Sequence, residues 1–437
     1  MYSGFNITPT ADQTSPYRTF SQLRRYIQWF SYSLLISCSK QLIIPTLIWF
    51  TTAIFIIVKY LTSITQLDTK NFDQVRRSND MEDRVSKVDV GFIEPCESWK
   101  LSSRFFPSKV GGKPAWLNLE DILHKEDAEC QFCREPCIFL CQVYAPYEED
   151  TKAFHRTIFI FICKNSECCK ANENGNLKVF RSQLEKNNKF YPSDPPVESE
   201  NWRPDINAEA WTKSCHVCGL YAPSHCSKCK RVYYCSRQHQ VYDWKHGHKM
   251  SCVLSSNMEE NSFLLPEYEI VIEADEDSNQ ISDNEKDDNE EQERKYEKLL
   301  QNKETGTLQD EENVDVDLLK MSAANDDETF FKFTTKVEKY PDQILRYERG
   351  GNPLYISSQN QAKKFPNCEE CGGERQFEFQ IMPQLLNYLK FEDTLKSLDW
   401  GILAVFTCKN SCLPKNGYVL EYVWKQDIQD VENKDSP

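Results

Sequence analysis

Nineteen cysteines, most of them written as closely spaced pairs, constrain this chain more than any other feature. Cys130-x2-Cys133, Cys215-x2-Cys218, Cys226-x2-Cys229 and Cys368-x2-Cys371 each place two thiols at one turn. That spacing suits two corners of a tetrahedral metal site better than a disulfide framework, and histidines accompany one of the clusters. The pattern predicts a reducing, zinc-supplied compartment, cytosol or nucleus.

The densest cluster runs from Cys215 to Cys252 and adds Cys235, His239, His248 and Cys252 to the two pairs. Eight thiolate and imidazole donors make two tetrahedral sites, and both donor types are ones zinc prefers. The text from Tyr233 to Cys252, "YYCSRQHQVYDWKHGHKMSC", closely resembles the MYND zinc finger, a family with interleaved ligand pairs. The resemblance implies that Cys215, Cys218, Cys235 and His239 hold one zinc, and Cys226, Cys229, His248 and Cys252 the other. One extra residue stands between Trp244 and the last histidine. His246 would restore the usual spacing from Trp244, but His248 keeps the gap to Cys252 and is preferred. His216 and His225 read as solvent-exposed neighbours. Four protein ligands per metal leave no position for water, so these sites are expected to be structural, with metal binding and folding one event.

The tetrapeptide Cys-Lys-Asn-Ser occurs twice, at Cys163 and at Cys408. Its surroundings recur in the same order. Cys130 and Cys133 precede an apolar segment, a buried strand at Ile158 to Ile162, then Cys163 and Cys168 or Cys169. Cys368 and Cys371 precede another, a buried strand at Ile402 to Phe406, then Cys408 and Cys412. "LCQVYAPY" from Leu140 lines up with "EFQIMPQL" from Glu378. Each half therefore offers two thiols at a turn and two at a strand end, the layout of a zinc ribbon, with one metal expected in each. Asn and Ser suit the second turn because their side chains bond nearby backbone groups. Cys137, Cys141 and Cys169 compete as ligands in the first half, while Cys38 and Cys96 read as ordinary residues.

These pieces predict a mainly β (α+β) protein: a split domain of two repeated zinc-ribbon-like β units, at 88–200 and 328–430, with the finger inserted at 212–253. The two halves are expected to lie side by side, covering each other's edges. Residues 273–327 form an acidic stretch too polar to offset its ordering entropy, and read as a disordered linker. A helix from Thr329 to Val337 closes it, with Phe330, Phe331 and Phe333 facing a core. Residues 1–80 differ from the rest. Leu42 to Val58 carries no charge and is at the lower limit for a membrane span, so a membrane is a partner only if that segment is a genuine anchor. Met81 is a natural alternative start.

The formal net charge is -15. From Glu273 to Glu312 there are sixteen acids against five bases, a surplus of eleven that leaves only -4 for the remainder. That balance argues against direct nucleic-acid binding as a general role. Gly111-Gly112-Lys113 lacks the earlier glycine that a phosphate loop needs. No Asn-His-Ser motif of the methyltransferases that accompany some MYND fingers is present, and no catalytic constellation emerges, so the chain is expected not to be an enzyme.

The order of the pieces closely resembles the programmed cell death protein 2 family. The matching text includes "VGFIEP", "FPSKVGGKPAWL", "CQVYAP", "FHRTIFIFIC", the finger, "LPEYEIVIE", "QILRY", "FQIMPQLLNYL" and "DWGILAVFTC", and spans Val88 to Asp427. The resemblance implies a chaperone that captures a nascent small-subunit ribosomal protein for ribosome assembly, in cytoplasm and nucleus. A strongly basic client would find a complementary surface in the acidic segment. The alternative is a nuclear MYND scaffold, gripping proline-containing peptides in a finger groove near Tyr234, Gln240 and Trp244.

Overall fold

The computed structural model describes residues 88–254, 263–275, 328–389 and 398–428. Residues 1–80, the hydrophobic stretch at 42–58 and most of the acidic stretch lie outside them. Among the described residues, no helix is long and apolar enough to cross a membrane.

Ten antiparallel strands close into one barrel. They are β1 (Asp89–Glu94), β2 (Lys109–Val110), β3 (Ile138–Tyr144), β4 (His155–Ile162), β5 (Leu177–Leu184), β8 (Tyr268–Ala274), β9 (Leu345–Tyr347), β10 (Arg375–Ile381), β11 (Ile402–Cys408) and β12 (Val419–Gln426). Short strands β6 (Ser224–His225) and β7 (Tyr233–Tyr234) form a separate hairpin in the finger. Around the barrel the order is β1-β8-β2-β3-β4-β5-β12-β11-β10-β9, and β9 returns to β1. Closure leaves no barrel strand with an unpaired edge, which removes the hazard an open sheet of this size would carry.

The order has two matching halves. One is β8-β2-β3-β4-β5 and the other β1-β9-β10-β11-β12, meeting at the β1–β8 and β5–β12 seams. The first of the described strands, β1, therefore sits in the second half, against β9, while β8, from beyond the finger, completes the first half against β2. The pairing of β3 with β4 is interrupted between Phe139 and Cys141, and that of β10 with β11 between Phe377 and Phe379. Leu140 and Glu378, the residues between them, begin the two segments that line up in sequence.

Strict alternation sorts β4 and β11. Ile158, Ile160 and Ile162 pack with Leu403, Val405, Phe379 and Ile381 from the opposite half, filling the barrel. Phe159 and Phe161 turn outward to Trp116, which also packs against finger residues Val217, Leu220 and Ala222. Phe406 turns outward to Phe365 and Tyr422. Successive side chains that point to opposite faces are what let one apolar strand serve two cores.

After β2 the chain turns through Gly111 and Gly112, with φ of 68° and 63°. A Cβ on Gly111 would stand 1.9 Å from the Pro266 carbonyl oxygen, so β8 can approach only because that side chain is absent. The helix expected at Thr329 to Val337 runs from Glu328 to Glu338, with Phe330, Phe331 and Phe333 buried. Strand β8 continues to Ala274, past the point where acidic composition begins, because Glu273 is paired with Val90 of β1.

Candidate metal centres

Each Cys-x2-Cys pair sits in the same local turn. Four residues after the first cysteine the backbone takes a left-handed conformation, at Arg134 (φ 65°), Gly219 (φ 78°), Lys230 (φ 58°) and Gly372 (φ 70°). The amide of that residue bonds the carbonyl of the first cysteine: Arg134 to Cys130, Gly219 to Cys215, Lys230 to Cys226 and Gly372 to Cys368, at 2.8 to 3.0 Å. The amide of the first cysteine in turn bonds the carbonyl five residues on, at Glu135, Leu220 or Gly373, or six residues on, at Val232. These two bonds fix the loop with both thiols on one side before any metal is considered.

The remaining ligands come from strand ends and helices. Cys163 follows β4 and Cys408 ends β11. Cys235 follows the finger hairpin, and Ser236 then caps the helix Arg237–Asp243 by accepting the His239 amide at 3.2 Å. That cap sets His239 one turn from Cys235, on the same side. The residue inserted ahead of the last histidine is absorbed in a π-turn at Trp244–His248, where Gly247 breaks the helical dihedrals with φ 154°. His248 is thereby brought inward, while His246 stays exposed and stacks on Tyr242 at 4.0 Å.

Four groups result among the described residues: Cys130, Cys133, Cys163 and Cys168; Cys215, Cys218, Cys235 and His239; Cys226, Cys229, His248 and Cys252; and Cys368, Cys371, Cys408 and Cys412. In each, the ligand atoms all lie within 4.8 Å of one another. A tetrahedron with ligands at about 2.3 Å from its metal has edges of about 3.8 Å. The corresponding distances are 3.6 Å for Cys133–Cys163, 3.5 Å for Cys218–Cys235, 3.9 Å for Cys226–Cys252, 3.6 Å for Cys229–His248 and 3.5 Å for Cys371–Cys408. The cysteines are free thiols, far beyond disulfide length. His239 presents Nδ1 and His248 presents Nε2, and Ser251 Oγ stands 3.4 Å from the other nitrogen of His248.

Between Cys168 and Cys169 the geometry selects Cys168. Cys169 instead donates to the Asp399 carbonyl at 3.0 Å. Cys137 points to the Asn176 carbonyl at 3.7 Å and Cys141 packs inside the barrel, so neither joins a cluster. His216 is half-buried, not fully exposed as its sequence context suggests, while His225 is exposed; neither belongs to a cluster. Tyr234 cannot line an open groove, because it is fully buried with its hydroxyl donated to Asp243 at 2.7 Å. Trp244 and Gln240 retain partial exposure.

The two Cys-Lys-Asn-Ser turns differ in detail. After Cys163, Asn165 caps a tight turn by accepting the Glu167 amide at 3.1 Å, which spaces the next ligand to Cys168. After Cys408 the chain turns at Ser411, φ 42°, and reaches Cys412 one residue sooner. There Ser411 Oγ accepts from Arg349 at 2.8 Å.

Sequence reading missed two ionic groups that join the halves. Arg156 on β4 pairs bidentately with Glu378 on β10, with Arg156 Nη2 to Glu378 Oε2 at 2.7 Å, and neither side chain is exposed. Tyr347 donates to the same carboxylate at 2.9 Å, and Thr407 donates as well. Burial alone would raise the Glu378 pKa, but the charge and hydrogen bonds of Arg156, with the Arg349 charge and the Thr407 bond, bring it down to about 2. Across the β5–β12 seam, Glu421 receives Arg181 at 2.7 Å and Arg375 at 3.0 Å, and both its oxygens accept the Cys408 amide at 3.1 Å. The available signal was an arginine or glutamate inside an otherwise apolar strand.

Fold and site together define a mainly β barrel protein carrying a MYND finger. The N-terminal domain model of programmed cell death protein 2 matches residues 87–198, its C-terminal putative domain residues 327–427, and the MYND finger residues 215–252. Programmed cell death protein 2 of Mus musculus is 42% identical over 354 residues, which cover 79% of this chain and 97% of that protein. The chain belongs to the programmed cell death protein 2 family. Programmed cell death protein 2-like of Homo sapiens is 29% identical, over 71% of this chain and 86% of that protein. A Schizosaccharomyces pombe protein named "Probable 20S rRNA accumulation protein 4" is 34% identical over 114 residues, 22% of this chain and 28% of that protein. No solved structure matches.

Proposed function

We propose that this protein is a non-enzymatic chaperone of the cytoplasm and nucleus, holding a newly made small-subunit ribosomal protein until assembly. The observation that carries the reading is its similarity to a relative named for 20S rRNA accumulation. Four four-ligand clusters support the non-catalytic part, because a closed tetrahedral site offers no position for a substrate or an activated water. Each cluster would hold one Zn2+, whose role is to tie chain segments together. The two barrel clusters act as zinc-ribbon-like knuckles of a repeated unit, and the acidic linker supplies charge complementary to a basic client.

The test is mass spectrometry of what co-purifies with the full chain from cells, before and after translation is blocked. One dominant small-subunit ribosomal protein that fades when synthesis stops supports the reading. Association only with transcriptional regulators, indifferent to translation, would replace it with the scaffold. That second reading draws on Val241, Trp244 and Met250, which are exposed on the finger. It predicts that Trp244→Ala abolishes capture while folding is unchanged.

A further inference from the structure

The finger and the acidic stretch have charges of opposite sign within one chain. Residues 212–253 contain seven basic side chains, Lys213, Lys228, Lys230, Arg231, Arg237, Lys245 and Lys249, and one acid, Asp243. All seven are exposed, whereas Asp243 is buried and occupied by the Tyr234 hydroxyl. The exposed charges of the finger are therefore uniformly positive. Two metals bound by six thiolates would remove two charges and leave that surface unchanged. Residues 276–327 contain eighteen acids and six bases, a surplus of twelve.

The attachment points favour an encounter within the chain. The acidic segment leaves at Asp275, whose carboxylate pairs with Lys339 at 2.8 Å, just beyond the helix Glu328–Glu338 where the described chain resumes. Lys339 lies at the far end of that helix from Glu328, so the two ends of the 52-residue stretch 276 to 327 stand about one helix length, roughly 16 Å, apart. Such a loop can extend at most roughly 85 Å from its root. A globule of this size is about 45 to 50 Å across, so the finger is within reach. Tethering gives the segment an effective concentration in the millimolar range, which a free polyanion such as RNA must overcome against a net charge of -15.

We infer that residues 276–327 dock on the basic surface of the finger, and that a basic polypeptide releases them by competing for the same acids. The release step rests on the proposed chaperone function; the docking step does not.

Carbodiimide coupling of carboxylates to lysine amines in the full chain, read by peptide mass spectrometry, tests both. Lys228, Lys230, Lys245 and Lys249 should couple to acids of 276–327 at least about fivefold more than Lys363 and Lys364, which are also exposed. The excess should vanish at about 0.5 M salt. In a Lys228→Gln, Lys230→Gln, Lys245→Gln, Lys249→Gln variant, cleavage of the segment by a glutamate-specific protease should become several times faster with metal content unchanged. Equal coupling of finger and barrel lysines, or unchanged cleavage, overturns docking. Absence of acid coupling together with protection of those lysines by an RNA oligonucleotide would also overturn it and assign the surface to nucleic acid. An arginine-rich peptide should abolish the couplings; if they persist while docking holds, only the link to the client fails.

Discussion

The halves of the barrel share a strand order but differ in what covers them. Outside β4, Phe159 and Phe161 meet Trp116, and Trp116 donates its indole N–H to the Gly219 carbonyl of the finger at 2.8 Å. The finger is further tied by the Tyr221 amide to Leu123 and by the ring of Tyr221 on His124 at 4.3 Å. Outside β11, Phe406 is covered by the chain's own Phe365, and Met382 and Ile402 by the helix Glu328–Glu338. The metal clusters differ correspondingly: Cys371 is exposed, while in the first half three of the four ligands are buried. One sheet design thus tolerates unrelated covers, provided each supplies apolar area to the outward side of a strand. The inserted finger completes the first half's outer core.

The largest predicted effect falls on the less protected half. Cys408→Ser removes a ligand and disturbs the amide that Glu421 receives, so the variant should lose one metal equivalent and at least about 4 kcal/mol, or fail to fold. Unchanged metal content and melting would refute the centre. Next comes the contact between halves. Glu378→Gln should cost about 3 to 5 kcal/mol in denaturant titration, because it leaves Arg156 buried without its counter-charge. An Arg156→Met, Glu378→Leu double variant should recover most of that loss. If it does not, the pair stabilises through its wider hydrogen-bond network.

A smaller effect is expected where finger meets barrel. Trp116→Phe loses the bond to Gly219 and should cost about 1 to 2 kcal/mol while all metal stays bound. Faster proteolysis within 212–253, with 398–428 unaffected, would confirm that this contact serves the first half alone. The mildest is pH dependence. His155 is stacked on Phe106 at 4.4 Å and lies 3.0 Å from the Tyr144 hydroxyl; burial, reinforced by Lys186, holds its pKa down to about 4. The unfolded chain takes up that proton at higher pH, so stability is fully present above about 6.5 and declines as pH falls toward 4. His155→Phe should flatten that part of the profile of melting temperature against pH.

Much of the centre geometry was legible because knuckle chemistry is local. A Cys-x2-Cys turn closes through its own backbone, and Ser236 places His239 within one turn. The strands around Ile158 and Ile402 announced themselves by β-branched and aromatic runs. What stayed hidden was long-range. Gly111-Gly112-Lys113-Pro114 and Gly350-Gly351-Asn352-Pro353 are a second repeated signal, overlooked because two glycines mark many turns. The residues that follow confirm it: Gln142 holds Ala115 and Gln380 holds Leu354, each through both ends of the side-chain amide.

By itself the sequence determined the donors, their pairing into turns, the buried strands at Ile158 to Ile162 and Ile402 to Phe406, and the division of charge between the finger and the acidic segment. Each follows from residue type and spacing over a few positions. Only the tertiary structure decided that β1 and β8 exchange halves, that Arg156 finds Glu378, and that Cys168 is chosen over Cys169. Those outcomes depend on barrel closure, where pairing partners lie far apart in the chain and every edge must be satisfied together.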